Sequence, residues 1–181
     1  GRFVEIFGKE SSGKSTLAMH CVNSAVNDYN GYALIMDVEN NAWEFPKRNL
    51  ELGLKKENLD RVMCVHPATT EDAMNAAYEF VKTIVVDSKI TDVPVVIVWD
   101  SIAANTSQDE QEKDIGNIGY LTQSRIIAQG HRKIVSLLNE HKIKNVTFIW
   151  LNQARDGQAK VSFMPPPTTT FGGKAPAFYS S

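Results

Sequence analysis

The chain has 181 residues, of which 43% are hydrophobic and 22% are charged, and its formal net charge is −2. This length suits one domain with a substantial core, and the strand-length apolar runs exclude a predicted transmembrane helix. A net charge this close to zero does not indicate the basic face that is typical of a nucleic-acid-binding protein. Any binding of nucleic acid would therefore depend on local basic loops or on the assembly of several subunits. The two cysteines, Cys21 and Cys64, are predicted to be buried, reduced thiols rather than disulfide partners or zinc ligands.

Predicted strands and helices alternate along the chain. The strands are apolar almost throughout, which is typical of a parallel sheet covered by helices on both faces. Two long stretches, 107–118 and 154–173, are predicted to be irregular and functional. The predicted elements in chain order are strand 3–7, helix 16–27, strand 32–37, helix 45–54, strand 61–67, helix 71–86, strand 95–99, helix 119–141, strand 146–151 and strand 178–181.

The loop between the first strand and the first helix carries the most specific motif. Residues 8–15, "GKESSGKS", fit the P-loop (Walker A) pattern G-x-x-x-x-G-K-[ST], which a chain of this length would match by chance in roughly 1% of cases. The glycines let successive backbone N–H groups face a phosphate, and the helix dipole adds to that field. The candidate nucleotide-binding residues are Gly8, Glu10, Ser11, Ser12, Gly13, Lys14, Ser15 and Thr16.

Within this loop, Lys14 is expected to contact the β- and γ-phosphates and the Ser15 hydroxyl to bind Mg²⁺. The alternative is a Gly/Ser-rich turn into an ordinary helix. Asp100 ends the fourth strand, and we expect it on a strand neighbouring the loop, as the carboxylate partner of Mg²⁺. Taken alone, Asp100 would better suit a strand-terminating residue that caps a turn with Ser101.

Other polar residues also follow predicted strands. Ligands of open α/β sheets gather at the carboxyl ends of the strands, so Glu39 and Asp37 are both candidates for the base that activates water. The residues alone do not choose between them. Asn152 or Gln153 could hydrogen-bond the γ-phosphate, and either could be a plain polar strand end.

Together these motifs resemble the RecA recombinase family. The resemblance rests on "VEIFGKESSGKSTL", "DVEN", "VVIVWDSIAA", "NQAR" and "TTTFGGKAPAFYSS", in the family's order along essentially the whole chain. It implies a RecA-like P-loop NTPase core over residues 1–181, with a mainly parallel twisted sheet and helices on both faces. It selects Glu39 over Asp37 as the catalytic base and Gln153 as the γ-phosphate sensor, so the implied catalytic residues are Lys14, Glu39 and Gln153.

The resemblance also implies an activity. Members of the RecA family are Mg²⁺- and DNA-dependent ATP hydrolases that form filaments on single-stranded DNA and exchange strands with a homologous duplex. Single-strand-binding or loader proteins would be further partners, and the location would be a bacterial or phage-infected cytoplasm. The stretches 107–118 and 154–170 correspond to DNA-contacting loops, with Arg155, Lys160 and Phe163 as candidate contacts. The ATP state would move Gln153 and thereby order the second loop.

Several features depart from the family pattern. The first loop is acidic, the second carries an added "MPPP", Phe171 interrupts the Thr-Gly-Gly segment, and Ala177 stands where lysine is common. The segment "NNAWEFP" is long, which makes Trp43, Glu44 and Phe45 weak candidates for base contact. These departures suggest a bacteriophage or otherwise divergent member. We also expect a fragment lacking N-terminal oligomerisation and C-terminal segments. The alternatives are a helicase or translocase of the same fold, and a recombination mediator that exchanges no strands.

Overall fold

The computed structural model describes residues 2–38, 44–108, 120–156 and 168–170. The strands are β1 (Arg2–Gly8), β2 (Tyr32–Asp37), β3 (Val62–Val65), β4 (Val95–Asp100), β5 (Val146–Asp156) and β6 (Thr168–Thr170). The helices are α1 (Lys14–Tyr29), α2 (Lys47–Glu51), α3 (Thr70–Phe80) and α4 (Tyr120–Glu140). Short 3₁₀ turns span Lys56–Arg61 and Ile102–Ala104, and α3 continues as π-helical turns over Val81–Asp87.

The sheet has the order β1-β5-β4-β2-β3, and all of these pairs are parallel. β6 pairs with β5 in the antiparallel direction. The prediction of an α/β fold with a mainly parallel sheet is therefore confirmed. The expectation that β4 lies next to β1 is wrong, because β5 lies between them. An apolar run reveals that a strand is buried, and it does not reveal which strands flank it.

Each face of the sheet packs against helices and forms its own core. In β2, Leu34 and Met36 belong to the core beneath α3 and α4, whereas Ala33 and Ile35 belong to the core beneath α1. Side chains of a strand alternate between the two faces, so a strand covered on both faces needs apolar residues at every position. This explains the continuous apolar runs in the sequence.

Several element boundaries differ from the predictions. The helix predicted over 45–54 has only five helical residues, since it begins after Pro46 and the chain turns away at Gly53 with φ 99°. The stretch 154–173 is not irregular throughout, because β5 runs on to Asp156 and pairs there with β6. The predicted strand 178–181 lies outside the described residues.

Two further observations concern the surface. Cys21 is exposed on α1 and Cys64 is half-buried, so the prediction of a buried thiol was wrong for Cys21. An apolar periodicity in a helix marks one face, and Cys21 lies at its solvent margin. In the described ranges, no helix combines the length and the apolar character that a membrane crossing requires.

Candidate functional site

The glycine loop joins β1 to α1 through two residues in the left-handed region, Ser11 at φ 56° and Gly13 at φ 87°. Among the described residues no side chain caps the first turn of α1, and Leu17 N–H donates to the Gly13 carbonyl as the helix begins. The first N–H groups of a helix lack partners within the helix, and they carry the positive end of its dipole. A Cβ on Gly8 would lie 2.8 Å from Ser12 Oγ, so the Ser12 side chain would have to rotate away. The loop therefore has the shape of an anion cradle.

The side chain of Lys14 folds back over this loop. Its ammonium group donates hydrogen bonds to the backbone carbonyls of Lys9 at 2.8 Å and Gly8 at 3.1 Å. These contacts hold a positive charge directly at the mouth of the cradle. The loop thus combines backbone donors with one lysine side chain, which is the chemistry that binds phosphate oxygens.

Ser15 and Asp100 meet although they are 85 positions apart in the chain. The Ser15 hydroxyl donates to Asp100 Oδ2 at 2.5 Å, and Asp100 is only 5% exposed at the end of β4. A hydroxyl and a carboxylate are hard oxygen donors, which suit Mg²⁺. In the described part of the chain, no group of three or more His, Cys, Asp or Glu side chains could hold a metal. Mg²⁺ commonly uses one or two protein carboxylates together with substrate phosphates, so this donor set fits it.

The ends of the neighbouring strands bring further polar residues to the same edge. Asp37 lies opposite Asp100 in the β2–β4 register, and the Val38 N–H donates to the Asp100 carbonyl at 2.8 Å. Asp37 is buried, and its carbonyl contacts Nδ1 of His66 at 3.0 Å. Glu39 follows directly in the sequence, but it lies outside the described residues.

Gln153 lies at this edge in register with Gly8. The preceding Asn152 is fully buried, and its amide donates to Glu5 Oε1 at 2.8 Å while its Oδ1 accepts the Gln153 N–H at 2.9 Å. Asn152 is thus committed to holding β1 and β5 together. This commitment leaves Gln153, which is half-buried, as the better candidate for contact with a ligand at the edge.

A cysteine near the site is chemically quiet. Burial raises the pKa of the Cys64 thiol to about 11, and the negative charge of Asp37 acts in the same direction. The reactive form of a cysteine is the thiolate, which is scarce at neutral pH when the pKa is that high. Cys64 is therefore not a nucleophile for this site.

The remaining candidates are only partly described. Arg155 pairs with Thr169 through the backbone of β5 and β6, and its side chain is not described. Phe45 packs against the core beneath α1, and Glu44 forms an exposed ion pair with Lys47 at 3.5 Å, which argues against both as base contacts. The other predicted positions, Trp43, Lys160, Phe163, Phe171 and Ala177, lie outside the described residues.

Sequence reasoning missed two structural features of the site. One is the Asn152–Glu5 bond, and the other is a buried set of hydrogen bonds among Trp99, Asn105 and Gln123. Isolated polar residues near strand ends carry no local pattern, so a single sequence gives no signal for their pairing.

Comparison with known proteins adds independent information. The family model described as the RecA N-terminal domain matches residues 1–181. "Protein RecA" of Chlamydia pneumoniae is 38% identical over 181 residues, covering 100% of this chain and 46% of that protein. "Protein RecA" of Treponema pallidum is 38% identical over 182 residues, covering 100% of this chain and 40% of that protein. "Protein RecA" of Acidothermus cellulolyticus is 37% identical over 181 residues, covering 100% and 47%. The chain spans about half the length of the curated relatives it matches.

Proposed function

Because this chain belongs to the RecA family, we propose that it is the ATPase core of a recombination protein. The full-length protein would hydrolyse ATP in a DNA-dependent manner, form filaments on single-stranded DNA and promote strand exchange with a homologous duplex. One observation carries the proposal: the glycine loop, Lys14 and the Ser15–Asp100 pair meet at the carboxyl edge of the sheet. Nucleotides bind at that edge in open α/β sheets.

ATP binding begins with its phosphates in the glycine loop. The backbone N–H groups that follow Gly8 and start α1 would donate to phosphate oxygens, and Gly13 keeps the turn open enough for close approach. Lys14 would exchange the neutral carbonyls of Gly8 and Lys9 for the phosphates. The bonds to the carbonyls involve only one charged group, whereas the phosphates add the attraction between opposite charges, so this exchange is favourable.

Ser15 and Asp100 would hold Mg²⁺. When bound, Mg²⁺ neutralises charge on the phosphate oxygens. The burial of Asp100 beneath the loop fixes the direction of its carboxylate, and the Ser15 hydroxyl keeps that carboxylate beside the start of α1. Positioning and electrostatic stabilisation of this kind supply most of the catalysis in phosphoryl transfer.

The base for hydrolysis would be Glu39. It follows β2 by two residues, and the Val38–Asp100 hydrogen bond ties the chain just before it to the end of β4. A carboxylate at that position could take a proton from the attacking water. Gln153, on β5 in register with Gly8, would sense the γ-phosphate and pass its presence to the following stretch 154–170.

DNA contacts would come from the stretches 107–118 and 154–170, with Arg155, Lys160 and Phe163 as candidates. A cation suits a DNA phosphate and an aromatic ring suits a base, so the second stretch has both kinds of contact. The partners of the full-length protein would be single-stranded DNA, homologous duplex DNA and further copies of itself. Loader or single-strand-binding proteins would act on the same filament.

The proposal is tested by strand exchange with the full-length protein. We expect filaments in negative-stain micrographs when ATP and single-stranded DNA are both present, and transfer of a labelled strand into a homologous duplex. Filaments without strand transfer would favour a mediator. Directional unwinding of a forked duplex without homologous pairing would favour a helicase or translocase, and either outcome would overturn the proposed role in strand exchange.

A further inference from the structure

A buried polar network joins the end of β4 to the start of α4. The Trp99 indole N–H donates to Asn105 Oδ1 at 2.8 Å. The Gln123 side-chain amide donates to two backbone carbonyls, those of Asn105 at 2.8 Å and Ile102 at 3.1 Å. All three of these polar side chains are at most 3% exposed. The network therefore lies inside the molecule, away from competing water.

The location of this network is informative. Asn105 lies shortly before residues 109–119 and Gln123 shortly after them, so the network connects the two chain segments that flank this stretch. Its other end, Trp99, directly precedes Asp100, which accepts the Ser15 hydroxyl. The network thus reaches the residue before Asp100 at one end and both flanks of the stretch proposed to contact DNA at the other.

The flank before residue 109 is also held from α3. The Thr70 N–H donates to the Thr106 carbonyl at 2.9 Å, and a Glu71 carboxylate oxygen accepts the Gln108 N–H at 3.3 Å. Asn105 itself donates to the Pro67 carbonyl at 3.4 Å. Residues 105–108 are therefore held in place both by the network and by the segment that leads into α3.

Packing alone does not explain these residue types. Burying a polar side chain is unfavourable unless its groups are hydrogen-bonded, and apolar side chains can fill the same volume without that constraint. In this network both N–H groups of the Gln123 amide have carbonyl partners and the Trp99 N–H has an oxygen partner. Satisfied networks of this kind select one arrangement of the backbone, because any shift leaves a buried group unpaired.

We propose that Trp99, Asn105 and Gln123 are positioning residues that couple the Ser15–Asp100 pair to the stretch 107–118. The inference rests on the proposed function, which assigns nucleotide to the first and DNA to the second. It adds a second route from nucleotide to DNA, separate from Gln153 and the stretch that follows β5. Coupling between two binding sites is reciprocal, so single-stranded DNA would also alter nucleotide affinity through this network.

The test uses Gln123→Met in the full-length protein, which keeps the side-chain length and removes both hydrogen-bond donors. The readout is the dissociation constant of a fluorescein-labelled oligo(dT), measured with a non-hydrolysable ATP analogue and again with ADP. Coupling between sites is typically at least about fivefold in affinity, and we expect the ADP-to-analogue ratio to fall by about that factor or more. Gln129→Met, the same change at an exposed position of α4, should leave the ratio unchanged.

A second variant guards against loss of folding. Trp99→Phe with Asn105→Leu removes the donor and acceptor of one bond together, so neither is left unpaired at that bond. It should remain folded, with a melting temperature lowered by the smaller ring at position 99, and still lose coupling. An unchanged ratio in either folded variant would overturn the inference. If the unmodified protein binds oligo(dT) equally with both nucleotides, the proposed function itself fails, and the inference fails with it.

Discussion

At the residue scale, the proposed chemistry at the carboxyl edge of the sheet depends on a few polar side chains that the backbone holds in place. The Lys14 ammonium lies on the glycine loop, and the Ser15–Asp100 bond fixes two oxygen donors beside it. The loop could be recognised from the sequence because the residues of its motif are contiguous, and the structure places it between β1 and α1 as predicted. From the sequence, Ser15 and Asp100 could be expected only to bind the same Mg²⁺. Nothing in the local sequence indicates a direct hydrogen bond between them.

Lys14→Ala should weaken nucleotide binding strongly. A hydrogen bond to a charged group contributes about 1.5–3 kcal/mol, which corresponds to roughly a 10- to 150-fold loss of affinity. Titration of a fluorescent ATP analogue measures this loss. Lys9→Ala is the matched control, because Lys9 contributes its backbone carbonyl and its own side chain is exposed. Equal losses in the two variants would contradict the role given to Lys14.

The burial of His131 leads us to expect that the free energy of unfolding depends on pH. It is 3% exposed, with its ring centroid 3.9 Å from that of Phe3, and burial together with the charge of Arg132 lowers its pKa to about 4. The ordinary pKa is 6.5. The unfolded chain therefore binds more protons than the folded chain between these two values, so stability falls as the pH drops through that window.

Urea unfolding of His131→Phe at neutral pH and near pH 5 tests this dependence. The unmodified protein should lose about 2 kcal/mol more than the variant on acidification, since the shift in pKa is only partly expressed at that pH. His141→Gln, at an exposed position, should behave like the unmodified protein. The same acid loss in His131→Phe would show that His131 does not titrate in this way.

At the scale of elements, helix ends were predictable wherever local chemistry sets them. The Thr69 hydroxyl caps α3 by accepting a hydrogen bond from the Asp72 N–H, and the Asp72 carboxylate accepts one from the Thr69 N–H. This capping box accounts for the predicted start near residue 71. The predicted helix 71–86 covers α3 and its continuation to Asp87, although not the π-helical pattern of that continuation. The short strand β6 was missed, because its pairing with β5 is a tertiary contact rather than a local pattern.

The contact between α3 and α4 depends on Gly130. A Cβ at this position would lie 2.6 Å from the Met74 sulfur and 2.9 Å from its Cβ, so more than the flexible tip of Met74 would have to move. Alanine is favoured over glycine inside a helix by about 1 kcal/mol, whereas overpacking a core costs about 1–3 kcal/mol. We therefore expect Gly130→Ala to lower the free energy of unfolding by about 1 kcal/mol.

Urea denaturation measures this change, and Gln129→Ala on the exposed side of α4 is its control. In the double variant Met74→Ala with Gly130→Ala, the loss of unfolding free energy should be smaller than the sum of the two single losses. The Met74 side chain that would collide with the new Cβ is absent from the double variant. If Gly130→Ala is more stable than the unmodified protein, then α3 and α4 accommodate the added methyl group without loss of packing, which would contradict the prediction.

At the scale of the whole molecule, the site is assembled by strands that are distant in sequence. The fold class could be predicted from alternating apolar strands and amphipathic helices, and so could the edge of the sheet at which Gly8 and Asp100 lie. The insertion of β5 between β1 and β4 could not, since strand order depends on how helices cover both faces. The network of Trp99, Asn105 and Gln123 likewise exists only once β4 and α4 are packed together.

The central claim is that DNA activates an ATP-hydrolysing centre with Glu39 as its base, and ATP hydrolysis by the full-length protein tests it most directly. Rates with and without single-stranded DNA would be compared for the unmodified protein, Glu39→Gln and the exposed control Glu57→Gln. A general base contributes about 10²- to 10⁴-fold, so Glu39→Gln should abolish strong DNA stimulation while Glu57→Gln retains it. DNA-independent hydrolysis, or stimulation that survives Glu39→Gln, would contradict the claim.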